Sequence, residues 1–261
     1  MRTEKLLGVS DQVRHAVREV LHEADEYHVV HTTRLLRTTD LLYKEAPSGK
    51  MLELGTSGFI PLVCERLLPD LEVHGTHFDK TKKPTDNVEF TVGNKSITVK
   101  CYNHDLEYGM FPVKDETYDF VLCCEVLEHM EIDPMHMLSE VNRVLRPGGT
   151  LLLTTPNITS SRALAKILSG VEPHFFMQYH KNREYHRHNY EYSAPTLSRV
   201  LKGAGFNVKV WSENLFEDGL PGLVDDLRKT GYKIEEPGDN LIAIGEKISG
   251  VVDRYPVGLY V

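Results

Sequence analysis

Lys50-Met51-Leu52-Glu53-Leu54-Gly55-Thr56-Ser57-Gly58 is the stretch on which the fold turns. Before it, apolar residues recur at helical spacing as far as Tyr43, and the breaker cluster Ala46-Pro47-Ser48-Gly49 ends that pattern. From Lys50 the pattern is that of a short buried strand, which runs into a glycine-containing turn and a helix over about Ile60 to Leu68. A strand that ends in glycines and opens a helix is a place where backbone can approach a nucleotide-like ligand closely, and Gly55 and Gly58 permit the turn and the approach. The three-glycine pattern is incomplete, because Ser57 and Phe59 stand where glycine is usual. An ordinary strand-to-helix turn explains this stretch equally well by itself.

Working outward, the positions Val13, Ala16, Val17, Val20, Leu21 and Ala24 form an amphipathic helical stripe with Ser10 as its N-cap, and a second helix spans Arg34 to Tyr43. Downstream, a strand near Leu71 to Phe78 is followed by Val88–Val92 and Ile97–Cys101, whose strict alternation around Gly93-Asn94 predicts a hairpin. Strand Asp119–Cys124, helix Pro134–Leu145, strand Thr150–Thr155, helix Ser161–Leu168, helix Pro195–Ala204 and strands Phe206–Trp211 and Leu241–Gly245 follow. Strands separated by helices predict an α/β fold with a doubly wound, mostly parallel sheet and a ligand at the carboxyl ends of its strands.

The chain has 261 residues and a formal charge of −8, which suits one α/β domain and argues against a protein whose main business is coating nucleic acid. No apolar run approaches the length of a membrane span, and the start lacks the pattern of a signal peptide, so a soluble cytoplasmic protein is expected. Cys64, Cys101, Cys123 and Cys124 lack C-x-x-C spacing and read as buried reduced thiols. Histidine is in excess: 13 residues, four of them between His174 and His188. Those of the N-terminal helices, His15, His22, His28 and His31, read as surface or packing residues.

Three further landmarks follow in order. They are Asp79 after the second strand, Asn103-His104-Asp105-Leu106 after the third, and Tyr118–His129 followed by Val144-Leu145-Arg146-Pro147-Gly148-Gly149-Thr150. With them the chain resembles the class I S-adenosylmethionine-dependent methyltransferases over roughly residues 48 to 248. The resemblance implies a Rossmann-like seven-stranded sheet, an N-terminal helical extension over 1–47, a lid inserted after the fifth strand over 158–194, and a tail over 249–261. It further implies that Glu53 with the loop Gly55, Thr56, Ser57 and Gly58 holds the amino-acid end of the cofactor. An acid after the second strand would hold the ribose, Asp105 with Leu106 the adenine, and Glu125 the cofactor side of the site. Families of this kind usually read Gly-x-Asp in the second motif, whereas here His77 follows Gly75-Thr76; Asp79 can substitute if the strand persists, since 77 and 79 then share a face.

Glu125, Glu128 and His129 stand at i, i+3 and i+4, so on a helical turn all three can point at one spot. Two carboxylates and an imidazole suit Mg²⁺ or Mn²⁺, with Zn²⁺ also compatible. The same triplet can equally cap a helix or line a pocket without metal. It is similar to the Glu-x-x-Glu-His metal site of the ubiquinone-pathway O-methyltransferases and of the small-RNA 3′-terminal 2′-O-methyltransferases. The RNA enzymes also carry Thr-Thr-Pro-Asn and a later His-x-Phe-Glu-Trp-like segment, matched here by Thr154-Thr155-Pro156-Asn157 and His188-Asn189-Tyr190-Glu191-Tyr192. That resemblance implies His188 as fourth ligand, with His186 the fallback.

Methyl transfer to a hydroxyl needs the hydroxyl proton removed, and Glu128, His129, His186, His188 or His180 could take part. The stretch from Ile158 to Val200 carries six Lys/Arg against three Glu and several aromatics, which would suit a lid over an anionic acceptor. Its alternative is a solvated surface excursion. The apolar tail Asp253–Val261 packs on its own domain or on a partner, which leaves a homodimer open. The expected function is a metal-assisted O-methyltransferase acting on a sugar, glycoside or other small polar metabolite. An RNA 3′-terminal 2′-O-methyltransferase, a metal-free small-molecule methyltransferase and a non-catalytic cofactor-binding protein are the competing readings.

Overall fold

Ser10 accepts a hydrogen bond from the Val13 amide and starts helix α1 (Asp11–Val20), which buries Val13, Ala16, Val17 and Val20, the predicted stripe. A short helix that the sequence reading passes over, α2 (Glu26–Val30), is capped by the Asp25 carboxylate on the His28 amide and leads into α3 (Thr32–Glu45). The computed structural model describes residues 8–46, 48–79, 87–173 and 187–260. His174, His180 and His186, with the aromatic residues between them, lie outside the described residues.

The central elements follow as β1 (Gly49–Leu54), α4 (Phe59–Leu67), β2 (Leu71–His77), β3 (Asn87–Val92), β4 (Lys95–Asn103), β5 (Tyr118–Cys124), α5 (Pro134–Val144) and β6 (Leu145–Pro156). After α6 (Ser161–Leu168) come α7 (Ala194–Gly203), β7 (Phe206–Glu213), α8 (Pro221–Lys229) and β8 (Asn240–Lys247). The strands form one sheet in the order β3-β4-β2-β1-β5-β6-β8-β7. It therefore has eight strands, not seven: the predicted hairpin is real, and its first strand, β3, adds antiparallel to the edge of β4. The pairs β4/β2, β2/β1, β1/β5 and β5/β6 are parallel, so the carboxyl ends of these strands share one rim. Strand order reverses between β1 and β5, and this is where such sheets bind ligands.

Alternation along the strands divides the core into two layers. Met51, Phe120, Leu122, Leu152 and Ile242 face α1, α3 and α4, while Leu52, Leu54, Val121, Cys123, Leu151 and Leu153 face α5 and α7. Cys123 and Cys124 indeed point to opposite sides, and all four cysteines are free thiols. The tail packs on its own domain. Arg254 pairs with Asp133, the Tyr260 hydroxyl donates to Asp133 and accepts from the Met135 amide at 3.2 Å, and Arg199 Nη1 donates to the Val257 carbonyl at 2.6 Å. Among the described residues no helix is long and apolar enough to cross a membrane.

Candidate active site

At the end of β1 the Glu53 side chain is buried, and its Oε2 accepts a hydrogen bond from Thr56 Oγ1 at 2.5 Å. Burial lifts the Glu53 carboxyl to about 7, against the opposing pull of the Thr56 bond and of Arg34. The loop is laced to β2: the Gly55 amide donates to Thr76 Oγ1 and the Thr56 amide to the Thr76 carbonyl, both at 3.0 Å. Gly58, the N-cap of α4, has φ +86°, and a Cβ there would overlap Phe90 of β3. Its lack of a side chain is thus used by the hairpin as well as by the turn. Gly55 and Ser57 are the exposed members of the loop.

Strand β2 ends at His77, so Asp79 does not share a strand face with it as the sequence reading required. Asp79 sits in the following loop, where its amide donates to Asn103 Oδ1 at 2.9 Å and its carbonyl accepts from Asn103 Nδ2 at 3.1 Å. Asp105 and Leu106 lie in the loop after β4, with the Glu107 amide donating to Asp105 Oδ1 at 3.1 Å. The loops carrying Glu53, Asp79, Asp105 and Glu125 therefore stand on the same rim, at the carboxyl ends of β1, β2, β4 and β5.

The segment after β5 departs from the expected geometry in one residue. The helical turn is a 3-10 turn, Leu127–His129, and Glu125 precedes it with φ +54°. A left-handed residue breaks the i, i+3, i+4 alignment, so Glu125 is not grouped with the other three expected ligands. Its Oε1 instead accepts from Thr154 Oγ1 at 2.7 Å and Asn240 Nδ2 at 2.9 Å. Glu128, His129 and His188 do come together, with one ligand atom from each lying within 4.8 Å of the others. Glu128 is fully buried; its Oε2 accepts from Thr155 Oγ1 at 3.0 Å, while its Oε1 has no hydrogen-bond partner among the described residues and lies 3.8 Å from His129 Nε2. Burial, with Glu125 nearby, pushes the Glu128 carboxyl well above the usual carboxylate range. The Thr154-Thr155-Pro156-Asn157 motif thus hands one hydroxyl to each glutamate, and Asn157 Nδ2 ties the strand end to the carbonyls of Glu236 and Gly238.

The cluster opens into a cavity of about 740 Å³. Its far wall comes from the N-terminal helices, with Tyr27, His31 and Arg34 facing Glu125, Glu128 and His188. His31, grouped with the surface and packing histidines in the sequence reading, lines this wall beside Tyr27 and Phe216, with ring centroids 4.4 and 5.5 Å away. Burial, and after it Arg34, lowers the His31 imidazole to about 4. Glu191, Phe216 and Asp239 also line the cavity, and Asp239 holds the loop over it by accepting from the amides of Leu215, Phe216 and Glu217 at 2.7, 3.0 and 2.6 Å. No sequence signal singles out Tyr27, Arg34, Phe216 or Asp239, which join the site only through packing of distant segments.

Sheet order, rim loops and an acid-lined cavity at the switch point together define a Rossmann-like α/β protein with a ligand site of the nucleotide-cofactor type. A family model described as a methyltransferase domain matches residues 32–209, and the chain belongs to that family. A probable S-adenosylmethionine-dependent methyltransferase of Mycolicibacterium smegmatis is 34% identical over 143 residues, a match covering 53% of this chain and 48% of the relative. The chain thus spans about half the length of that curated relative. Among solved structures, an S-adenosylmethionine-dependent methyltransferase of Archaeoglobus fulgidus aligns with TM-score 0.54 and 17% identity, covering 85% of this chain and all of that one (100%). One from Thermotoga maritima aligns with TM-score 0.51 and 19% identity, covering 89% of this chain and 99% of that one. At these identities the solved structures establish the shared fold.

Proposed function

We propose that this protein is an S-adenosylmethionine-dependent O-methyltransferase, assisted by a divalent cation, that methylates a hydroxyl of a sugar, glycoside or other small polar metabolite. The observation that carries the reading is the fully buried Oε1 of Glu128, which has no hydrogen-bond partner among the described residues and is grouped with His129 and His188 on the wall of the cavity. A buried carboxylate oxygen that lacks a hydrogen bond is costly, and the imidazoles of His129, its Nε2 3.8 Å away, and of His188 complete a mixed oxygen and nitrogen donor set that suits Mn²⁺ or Mg²⁺. Glu128, His129 and His188 would hold the cation; Glu125, tied to Thr154 and Asn240, would stand beside it. When bound, such a cation lowers the pKa of a hydroxyl and fixes its position.

The remaining work falls to side chains of this chain. The rim loop from Glu53 to Gly58 would hold the amino-acid end of the cofactor. The loops of Asp79 and Asp105 take the ribose and adenine. In the transfer, the acceptor oxygen forms a bond to the methyl carbon as the carbon–sulfur bond breaks and its electron pair returns to sulfur. The hydroxyl proton would pass to a basic side chain of the site. Tyr27, His31 and Phe216 line the acceptor side.

The test is a crystal soaked with S-adenosylhomocysteine and Mn²⁺, paired with turnover assays on a panel of hydroxyl acceptors. Anomalous density between Glu128, His129 and His188, with turnover abolished by chelator and restored by Mn²⁺, is expected. Unchanged turnover and thermal stability on chelation would overturn the metal part, and transfer confined to nitrogen acceptors would overturn O-methylation.

A further inference from the structure

Helix α3 carries two arginines on successive turns that differ in one respect. Arg37 is satisfied within the protein: its Nε donates to Glu213 at 2.7 Å and its Nη1 to Asp40 at 3.3 Å. Arg34 is more deeply buried, at 5% exposure, yet among the described residues no Asp or Glu comes within 4.0 Å of it and its Nε has no hydrogen-bond partner. Nη2 donates to the Tyr27 hydroxyl at 3.3 Å, and the guanidinium lies 6.0 Å from the centre of the Phe216 ring. This side chain lines the same cavity as Glu125 and Glu128.

We propose that Arg34 is the seat for a carboxylate brought into the chamber by a ligand, an inference that rests on the reading of this chamber as the site of methyl transfer. A buried guanidinium N–H without an acceptor is costly, and a planar carboxylate that accepts two of its N–H groups in parallel satisfies it. A singly charged carboxylate fits better than a phosphate, because Glu125 and Glu128 lie close enough to influence Arg34 and would repel a dianion. A lysine could not reproduce the fork. The carboxylate has two sources, the amino-acid end of the cofactor and an acid group on the acceptor, and one set of measurements separates them.

Calorimetry would compare S-adenosylhomocysteine with 5′-methylthioadenosine, which keeps the nucleoside and lacks the amino-acid end, on the full-length wild type, Arg34→Met and Arg34→Lys. If the cofactor supplies the carboxylate, the preference for S-adenosylhomocysteine falls at least about tenfold in Arg34→Met and less in Arg34→Lys. If the acceptor supplies it, that preference is unchanged, while malonate raises the melting temperature of the S-adenosylhomocysteine-saturated wild type and not of Arg34→Met. Loss of neither effect overturns the proposal. So does a melting temperature of unliganded Arg34→Met well below that of the wild type, which would make Arg34 a brace of the fold. Should the wild type bind neither adenosyl compound, the methyl-transfer reading fails, and malonate stabilisation of the unliganded protein still decides the role of Arg34.

Discussion

The Nδ1 of His188 lies 2.9 Å from Oε1 of Glu191, a carboxylate 3% exposed. This bond fixes the orientation of the ring and the nitrogen that carries the proton, leaving Nε2 as the basic edge, which is how outer carboxylates tune metal-binding histidines. Under the proposed metal-assisted function, Glu191→Ala is therefore expected to weaken Mn²⁺ activation by about 10- to 100-fold while binding of S-adenosylhomocysteine stays unchanged. A titration of turnover against Mn²⁺ concentration reads the effect, and an unshifted midpoint would contradict it.

Glu128 faces the cluster, whereas Glu53 belongs to the rim loop, and the two should fail differently. Glu128→Ala is expected to cost turnover by about 100-fold or more with cofactor affinity nearly intact. Glu53→Ala should weaken cofactor binding first. Parallel measurement of kcat and of S-adenosylhomocysteine affinity separates the two, and equal losses in Glu128→Ala would contradict its assigned role.

Burial raises Glu53 to about 7 from an ordinary 4.5, so the folded protein holds a proton there that the unfolded chain releases. A raised folded-state value contributes stability that is present at pH below 4.5 and is lost as pH climbs to about 7. Wild type should therefore lose stability relative to Glu53→Gln across that window, by about 3 kcal/mol at most, and run parallel to it above. Urea denaturation of both proteins between those limits checks the sign.

Gly75 in β2 has no side chain because a Cβ there would overlap the Thr56 methyl and press on Cys101 Sγ. Gly75→Ala should cost about 1 to 3 kcal/mol of stability. In a Thr56→Ser background, which removes the methyl but keeps the hydroxyl bonded to Glu53, the penalty should shrink. A double-mutant cycle by urea denaturation measures the coupling, and strict additivity would refute the contact.

Much of the fold is legible in the residues because it depends on local chemistry. Alternation over Asn87–Val92 and Lys95–Asn103 gives the hairpin, and the spacing of Val13, Ala16, Val17 and Val20 gives α1. Helix α8 also carries a readable signature, Pro221 at its first turn and Arg228 and Lys229 at its last, which the sequence reading passed over. The edge position of β3, and with it the eighth strand, is a matter of pairing between segments and has no local sign.

The site divides the same way. The sequence by itself determined which rim loops carry acids, while its family resemblance implied Glu125, Glu128, His129 and His188 as one set. Only the tertiary structure decided that Glu125, in a left-handed conformation, is tied to Thr154 and Asn240, and that Asp79 falls beyond the strand. It alone brought His31 and Arg34, some ninety residues upstream, across the cavity from the cluster. Periodicity fixes which face of a helix is buried; it cannot say whether that face meets a core or a chamber, since both are lined by residues withdrawn from water.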